Sequence, residues 1–180
     1  CSGACILDSE EKCVWSNTTN TSRLAELTDF ILQRDPLWLS RSLGMEMFGI
    51  PIGLNIRYRP GQTDESGRVY VTPEIFAQGS GFNIIHTAFE NAETASEYTN
   101  QINKIFGDYI TAYRNEQCVD IPGAGTGKSQ SLFMLSKIYK IPCKSITPIG
   151  DNYNDIGMIR DFDGCAVSSG KEEVKSAASA

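Results

Sequence analysis

The chain has 180 residues, 41% of them hydrophobic, with 22 acidic side chains against 16 Lys and Arg and a formal charge of -6. That is enough apolar material for one domain or two small ones. The acidic balance argues against a protein that wraps nucleic acid or lies on anionic lipid, because both partners call for a positive surface.

No apolar run approaches the ~20 residues needed to span a bilayer, and no charged-then-apolar signal segment opens the chain. Residues 4–15 read as a hairpin, with an apolar run, the turn-like Asp8-Ser9-Glu10-Glu11-Lys12, then Val14-Trp15. From Ser22 the period becomes helical, with Leu24, Leu27, Phe30 and Ile31 on one face. Asp35 and Pro36 predict a cap and first residue of a second short helix over 36–43, closed by Gly44. Leu54, Ile56 and Tyr58 alternate with Asn55, Arg57 and Arg59, the pattern of a half-buried strand. Residues 60–67 form a polar loop, and 69–71 and 82–87 give further strands. Asn91 can cap a helix with Ala95, Tyr98, Ile102 and Ile105 on one stripe. Strands over 108–113 and 118–121 follow, joined by a turn at Arg114-Asn115-Glu116. This block predicts an α+β module, a mainly antiparallel sheet with helices on one face.

After Ile121 a glycine-rich loop, 122–127, leads to a helix over 129–139 with Leu132, Leu135 and Tyr139 aligned. A strand over 144–149, a loop over 150–155, a short helix through Ile159, a strand over 165–167 and a helix from Lys171 complete the chain. Helix and strand alternate here as in a doubly wound α/β fold, with loops at strand ends available for a site. The chain therefore divides near residue 122.

The six cysteines, at 1, 5, 13, 118, 143 and 165, show neither a compact disulfide framework nor a CxxC knuckle. They read as reduced thiols of a cytoplasmic protein. The tripeptides Asn17-Thr18-Thr19 and Asn20-Thr21-Ser22 match a glycosylation sequon, which carries weight only in a secreted chain. The single histidine, His86, lies in a strand-like run and reads as a structural residue or a polar group facing a substrate.

Three segments invite a chemical reading. The run from Pro122 through Gly123-Ala124-Gly125-Thr126-Gly127-Lys128-Ser129 looks like a Walker A loop, but Pro122 stands where the motif needs glycine and has no N–H for a phosphate. A glycine-rich connection before a helix is the simpler account. Asp161-Phe162-Asp163-Gly164 looks like a nucleophilic DxDG box, yet the apolar strand follows it rather than precedes it, so these acids read as a solvated turn. The loop from Gly150 is the strongest signal. It gathers Asp151, Asn154 and Asp155 at a strand's carboxyl end, and a hard cation such as Mg²⁺ binds through one or two carboxylates, retained waters and substrate phosphate. Acids opening a helix are also good caps.

Lys128 opening a helix, Leu132, then Gly150-Asp151-x-x-Asn154-Asp155-x-x-Met158, Gly164-Cys165-Ala166-Val167 and Val174-Lys175-x-x-Ala178 resemble the third and fourth motifs of the haloacid dehalogenase superfamily. Within it the chain is similar to the Cof-like phosphatases with a large α/β cap. Gly3-Ala4-Cys5-Ile6-Leu7-Asp8 is similar to the hairpin those proteins place before the cap, with Ser2 in place of an asparagine. The resemblance implies an α/β fold: a Rossmannoid core, of which residues 1–15 supply a hairpin and 117–180 the C-terminal half, with an inserted α+β cap over 16–116.

It also implies a Mg²⁺-dependent phosphatase working through an aspartyl-phosphate on a small phosphorylated metabolite, a sugar phosphate or a cofactor phosphate. Asp151 would ligate Mg²⁺, and Asp155 would support the metal directly or through water. Asn154 would order the loop or contact phosphate, and Lys128 would pair with the nucleophile and the transferring phosphoryl group. Arg57, Arg59 and His86 are the cap residues expected to face substrate. The nucleophile motif would lie upstream of Cys1, so the 180 residues alone are expected to be inactive. No nucleic acid or membrane partner is expected, and nothing in the sequence fixes an oligomeric state. Two other readings stand beside this one: a P-loop-like nucleotide-binding module over 123–129, and a non-catalytic cap with half a core.

Overall fold

The computed structural model describes residues 3–178; Cys1 and Ser2, which enter the reading of the amino end, lie outside the described residues. In chain order the elements are β1 (Cys5–Leu7), β2 (Cys13–Ser16), α1 (Leu24–Leu32), β3 (Trp38–Leu43), β4 (Glu46–Ile50), β5 (Val69–Tyr70), α2 (Pro73–Phe76), β6 (Ile84–Ala88), α3 (Ala92–Phe106), β7 (Tyr113–Asn115), β8 (Cys118–Pro122), α4 (Lys128–Tyr139), β9 (Ile149–Gly150), α5 (Ile156–Asp161), β10 (Cys165–Ala166) and α6 (Glu172–Ala177). The mixture of sheet and helix is that of a mixed α/β protein. No helix among the described residues is long and apolar enough to cross a membrane. The chain folds as two compact units, one of residues 18–124 and one that joins the segments on either side of it in sequence.

In the unit of residues 18–124, six strands run in the order β5-β4-β3-β6-β8-β7. All neighbours are antiparallel except β4 and β5. One face is apolar, with Leu39, Ile50, Ile85, Val119 and Ile121 packed in a single core with Leu24, Leu27 and Ile31 of α1 and Ala95, Ile102 and Phe106 of α3. Each such side chain removed from water contributes roughly 1.5–3 kcal/mol, so this face fixes the register of the whole sheet. The side chain of Asn91 caps α3 by accepting from the Thr94 amide at 2.8 Å.

Residues 36–43 depart from the expected helix: they form β3, a central strand of the sheet. Asp35 has φ 47° rather than the extended backbone of a helix cap, and Leu43 pairs with Glu46 across the two-residue loop Gly44-Met45. Gly44, at φ 59°, takes the first loop position, where such a hairpin favours glycine. Arg41 of β3 is nearly buried; its guanidinium donates to the Gln78 and Gly81 carbonyls at 2.7 and 2.8 Å and lies over the Phe48 ring at 4.9 Å. Burial pushes its pKa down.

The strand expected around Leu54, Ile56 and Tyr58 is also absent. A 3-10 turn over Gly53–Asn55 takes its place, and Leu54 and Ile56 are 68% and 75% exposed. Gly53 at φ 50° turns the chain, and the Leu54 amide donates to the Leu37 carbonyl at 2.8 Å. The alternation there was a pattern without a buried face. The expected strand over 108–113 shortens to β7: Tyr109 and Ile110 instead donate back to the Phe106 carbonyl, both at 2.8 Å, extending the exit of α3. Strand β8, assigned from sequence to the C-terminal segment, pairs with β6 and β7 in this sheet.

The polar loop before β5 is organised by one carboxylate. Asp64 Oδ1 accepts from the Ser66 hydroxyl (2.6 Å) and the Ser66 and Arg68 amides (2.9 and 3.1 Å), while Oδ2 accepts from the Tyr70 hydroxyl (3.0 Å) and Arg68 (3.4 Å). Burial pushes the Asp64 pKa up, but these donors outweigh it and hold the group at about 2, below the ordinary 3.8. A depressed carboxylate stabilises the fold above its unfolded-state pKa, and that contribution disappears as pH falls through the folded value. Stability should therefore drop by about 2 kcal/mol between pH ~4 and ~2 through this group. Urea unfolding across that range is expected to show this slope in the wild type and its loss in Asp64→Asn.

In the other unit, β1 and β2 form the expected hairpin. Strands β9 and β10 are parallel neighbours joined through α5, a short βαβ crossover. The strand expected over 144–149 is a 3-10 turn at Cys143–Ser145 followed only by Ile149–Gly150. Helix α4 has no fully buried residue, so the predicted stripe of Leu132, Leu135 and Tyr139 is only partly covered. It meets α5 through Phe133 on Phe162, ring centroids 4.6 Å apart, and through the Ser129 hydroxyl, which donates to Asp161.

Candidate functional site

The site is built at the carboxyl end of β9. Gly150 is followed by Asp151 and Asn152, a single 3-10 turn over Tyr153–Asp155, and α5. Asn152 and Asp155 form a capping box: the Asn152 side chain accepts from the Asp155 amide, and the Asp155 carboxylate accepts from the Asn152 amide at 3.2 Å, while the Asn152 side chain also accepts from the Tyr153 amide at 2.8 Å. The same oxygen of Asp155, Oδ2, accepts from the Asp151 amide at 3.0 Å. Gly150 is required by close approach. A Cβ there would stand 2.4 Å from the Asp155 Cβ and 2.7 Å from its Cγ.

The other oxygen of Asp155 faces Lys128, the first residue of α4. Lys128 Nζ donates to Asp155 Oδ1 at 2.5 Å and to Asn154 Oδ1 at 3.4 Å. Asp155 is 2% exposed, whereas the Lys128 side chain is one-third exposed. Burial alone pushes the Asp155 pKa up; the Lys128 ammonium and the Asp151 and Asn152 amides outweigh it and hold the carboxylate ionised below its ordinary range. The arrangement is a fixed cation, anchored on one side by a buried carboxylate and partly open to solvent. Such a cation can hold an anionic group.

Lys128, Asn154 and Asp155 are thus brought together, with Asp151 exposed beside them. Both oxygens of Asp155 are engaged, so direct ligation of a metal by this residue would have to compete with Lys128 and two amides; its observed work is to hold the loop and the lysine. Among the described residues no three of His, Cys, Asp and Glu gather as a metal cage. Mg²⁺ does not require one, since it retains waters and often takes a single protein carboxylate. Asp151, an exposed carboxylate on this turn, has the chemistry that such a single ligand would need.

The residues expected to contact substrate belong to the unit of residues 18–124. Arg57 is exposed and donates to the Tyr58 hydroxyl at 3.0 Å, and Arg59 is exposed on the turn, with its amide donating to Gln62 at 2.7 Å. Without a strand over 54–58 they do not share a sheet face. His86 lies on β6 with Nδ1 2.8 Å from Asp120 Oδ1 on β8. Sequence reasoning passed over Asp120 because only the β6/β8 register places it opposite His86. The other two motifs carry no comparable geometry. Asp161 and Asp163 are exposed at the end of α5, Asp163 in a left-handed turn at φ 50°, and Pro122 is a paired residue of β8.

No curated protein matches the chain significantly. Among solved structures, a protein from Plasmodium vivax assigned to the HAD/COF-like hydrolases superposes with a TM-score of 0.80 at 16% identity, covering 98% of this chain and 63% of its own. A haloacid dehalogenase-like hydrolase from B. subtilis gives 0.79 at 19%, covering 99% and 71%. A HAD subclass IIB sugar phosphatase gives 0.76 at 17%, covering 99% and 66%. At these identities the likeness is one of fold, and the chain spans 63% to 71% of the lengths of these three proteins. Over residues 1–180 the sequence matches the haloacid dehalogenase-like hydrolase family, and the chain belongs to that family.

Proposed function

We propose that the protein is a Mg²⁺-dependent phosphatase of small phosphorylated metabolites, sugar phosphates or cofactor phosphates, acting through an aspartyl-phosphate whose nucleophile is not among these 180 residues. The observation that carries this reading is the Lys128 ammonium held 2.5 Å from a buried, ionised Asp155 at the carboxyl end of β9. Phosphoryl transfer asks a protein mainly for positioning and for charge placed where the equatorial oxygens gather negative charge. Lys128 supplies that charge preorganised, since Asp155 and Asn154 already fix its position. Asp155 also ties down the amides of Asp151 and Asn152, which sets the direction in which Asp151 leaves the strand. When bound, Mg²⁺ supplies neutralisation of the phosphoryl oxygens, with Asp151 as its ligand from this chain. The family membership and the sugar phosphatase of like fold support the substrate class.

The test is the metal dependence of the complete gene product with p-nitrophenyl phosphate and a set of sugar phosphates. Turnover is expected only with Mg²⁺, and Asp151→Asn is expected to raise the Mg²⁺ concentration for half-maximal rate by about tenfold or more, the scale of losing one ligand contact. Equal rates in excess chelator, or a metal response untouched by Asp151→Asn, would overturn the proposal.

A further inference from the structure

One patch in the unit of residues 18–124 sets protruding apolar side chains beside an apolar cavity, and the hydrolytic site uses neither. The side chains are Leu54 and Ile56, 68% and 75% exposed, Ile56 being the most exposed large hydrophobic among the described residues. The cavity holds about 220 Å³ and is lined by Leu32, Asp35, Pro36, Leu37, Ile52 and Gly53. A single exposed leucine needs no explanation, but two large apolar side chains on one turn beside an apolar hollow form the kind of patch that marks an interaction site.

The turn is built to display those side chains. Gly53, at φ 50°, approaches β3 so closely that a Cβ would stand 2.2 Å from the Leu37 carbonyl oxygen. The Leu54 amide donates to that same carbonyl at 2.8 Å, and the Asn55 and Tyr58 amides donate to the Ile52 and Asn55 carbonyls at 2.8 and 3.0 Å. At the far end the Tyr58 ring stacks on the fully buried Tyr70, with centroids 4.3 Å apart and planes 6° from parallel. A backbone pinned at both ends has little loop-ordering cost left to meet when its side chains are covered.

Size, shape and charge together select the occupant. The cavity is smaller than the roughly 300–1,000 Å³ of small-molecule sites, so it suits a protruding side chain. The side chains that protrude beside it have the chemistry to fill it, so the patch is complementary to itself. Self-complementarity is the condition for a two-fold contact, in which residue i of one copy meets j of the other and j meets i. Charge agrees with this. Asp35 is exposed on the cavity lining, Arg57 and Arg59 are exposed beside Ile56, and none of the three forms an ion pair among the described residues.

We propose that this patch binds a second copy of the chain. Leu54 and Ile56 of each protomer enter the cavity of the other, and Asp35 of one protomer meets an arginine of its partner, at position 57 or 59. Two apolar side chains and one ion pair from each protomer are fewer than the roughly 20–30 residues a side of a standard interface, so the dimer is weak and concentration-dependent. The contact lies wholly among residues 18–124 and uses neither Lys128 nor Asp151, so it stands or falls independently of the phosphatase reading.

Sedimentation equilibrium of the complete gene product from ~5 to ~500 µM is expected to show a reversible monomer–dimer equilibrium with its dissociation constant inside that range. The double variant Leu54→Ser, Ile56→Ser is expected to weaken it by at least about a hundredfold, which leaves a monomer throughout. Its Tm should match that of the wild type, because both side chains are exposed and removing them takes nothing from the core. Asp35→Asn removes the charge with a residue that also tolerates φ 47°. It is expected to weaken the dimer by about three- to tenfold, and ~0.5 M salt should do the same to the wild type. A protein monomeric at every concentration would overturn the proposal and leave the patch to a different partner. A dimer that keeps its dissociation constant in the double serine variant, or is indifferent to both Asp35→Asn and salt, would also overturn it.

Discussion

Asp155→Ala is expected to lower the stability of the unit containing residues 3–17 and 125–178 by about 3 kcal/mol, the low end for breaking a buried ion pair. The carboxylate is 2% exposed and accepts from Lys128 and from two backbone amides. Its removal leaves those amides without their acceptor, at about 1–3 kcal/mol in total. Lys128, one-third exposed, can recover water, which limits the cost on its side. Asp155→Asn keeps the shape and an acceptor, so it should lose only part of this. Lys128→Met isolates the pair from the cap: the amides stay satisfied while the cation goes. Because the Asp155 pKa is depressed in the folded chain, its contribution is present at neutral pH and lost on acidification. In Lys128→Met that loss should begin at higher pH. Guanidinium unfolding of the three variants across pH 3–7 decides the matter. A destabilisation in Asp155→Ala no larger than that in Lys128→Met would show that the amide contacts contribute nothing.

What the sequence discloses of this site follows from distance along the chain. Asp151, Asn154 and Asp155 fall within five residues after a glycine, so one turn must bring them together whatever the rest of the fold does. Lys128 lies 27 residues from Asp155. It is brought there by packing of α4 on α5, through Phe133 on Phe162 and Ser129 on Asp161, which no local pattern announces. The Walker A-like run and the family resemblance singled out the lysine, but nothing local tied it to Asp155. The same limit hides His86 and Asp120, 34 residues apart and joined by strand register. It also hides the burial of Asp64, whose loop is legible as a loop but whose five hydrogen-bond donors come from the way residues 64–70 close on themselves.

Two misread elements show what local rules cannot weigh. Asp35 and Pro36 carry the residue types of a helix start, but Leu39 belongs to the sheet core between β4 and β6, and burial against α1 and α3 outweighs the local signal. Residues 54–58 alternate as a strand would, yet nothing lies against their apolar side, and Gly53 turns them outward. Helix α3 was legible in its cap and most of its stripe: Asn91 accepts from the Thr94 amide, and Ala95 and Ile102 are buried, whereas Ile105, expected on the same stripe, is 44% exposed and Phe106 takes the buried place.

Lys128→Ala is expected to reduce phosphatase turnover of the complete gene product by about 10²–10³-fold, the cost of removing one preorganised charge from a transition state. The argument rests on what holds the lysine. Its ammonium is already fixed by Asp155 and Asn154, so no reorganisation is needed when charge develops on the transferring group. An ammonium that merely attracted the substrate would be felt in KM; one that meets charge appearing in the transition state is felt in kcat. The decrease should therefore fall mainly on kcat. Lys128→Arg keeps the charge but moves it and spreads it over a planar fork, so it should recover little. Asn154→Ala, which removes only the 3.4 Å contact, should cost about tenfold or less. If Lys128→Ala instead raises KM with kcat unchanged, the lysine attracts substrate without acting on the reacting phosphoryl group, and its pairing with Asp155 serves the fold.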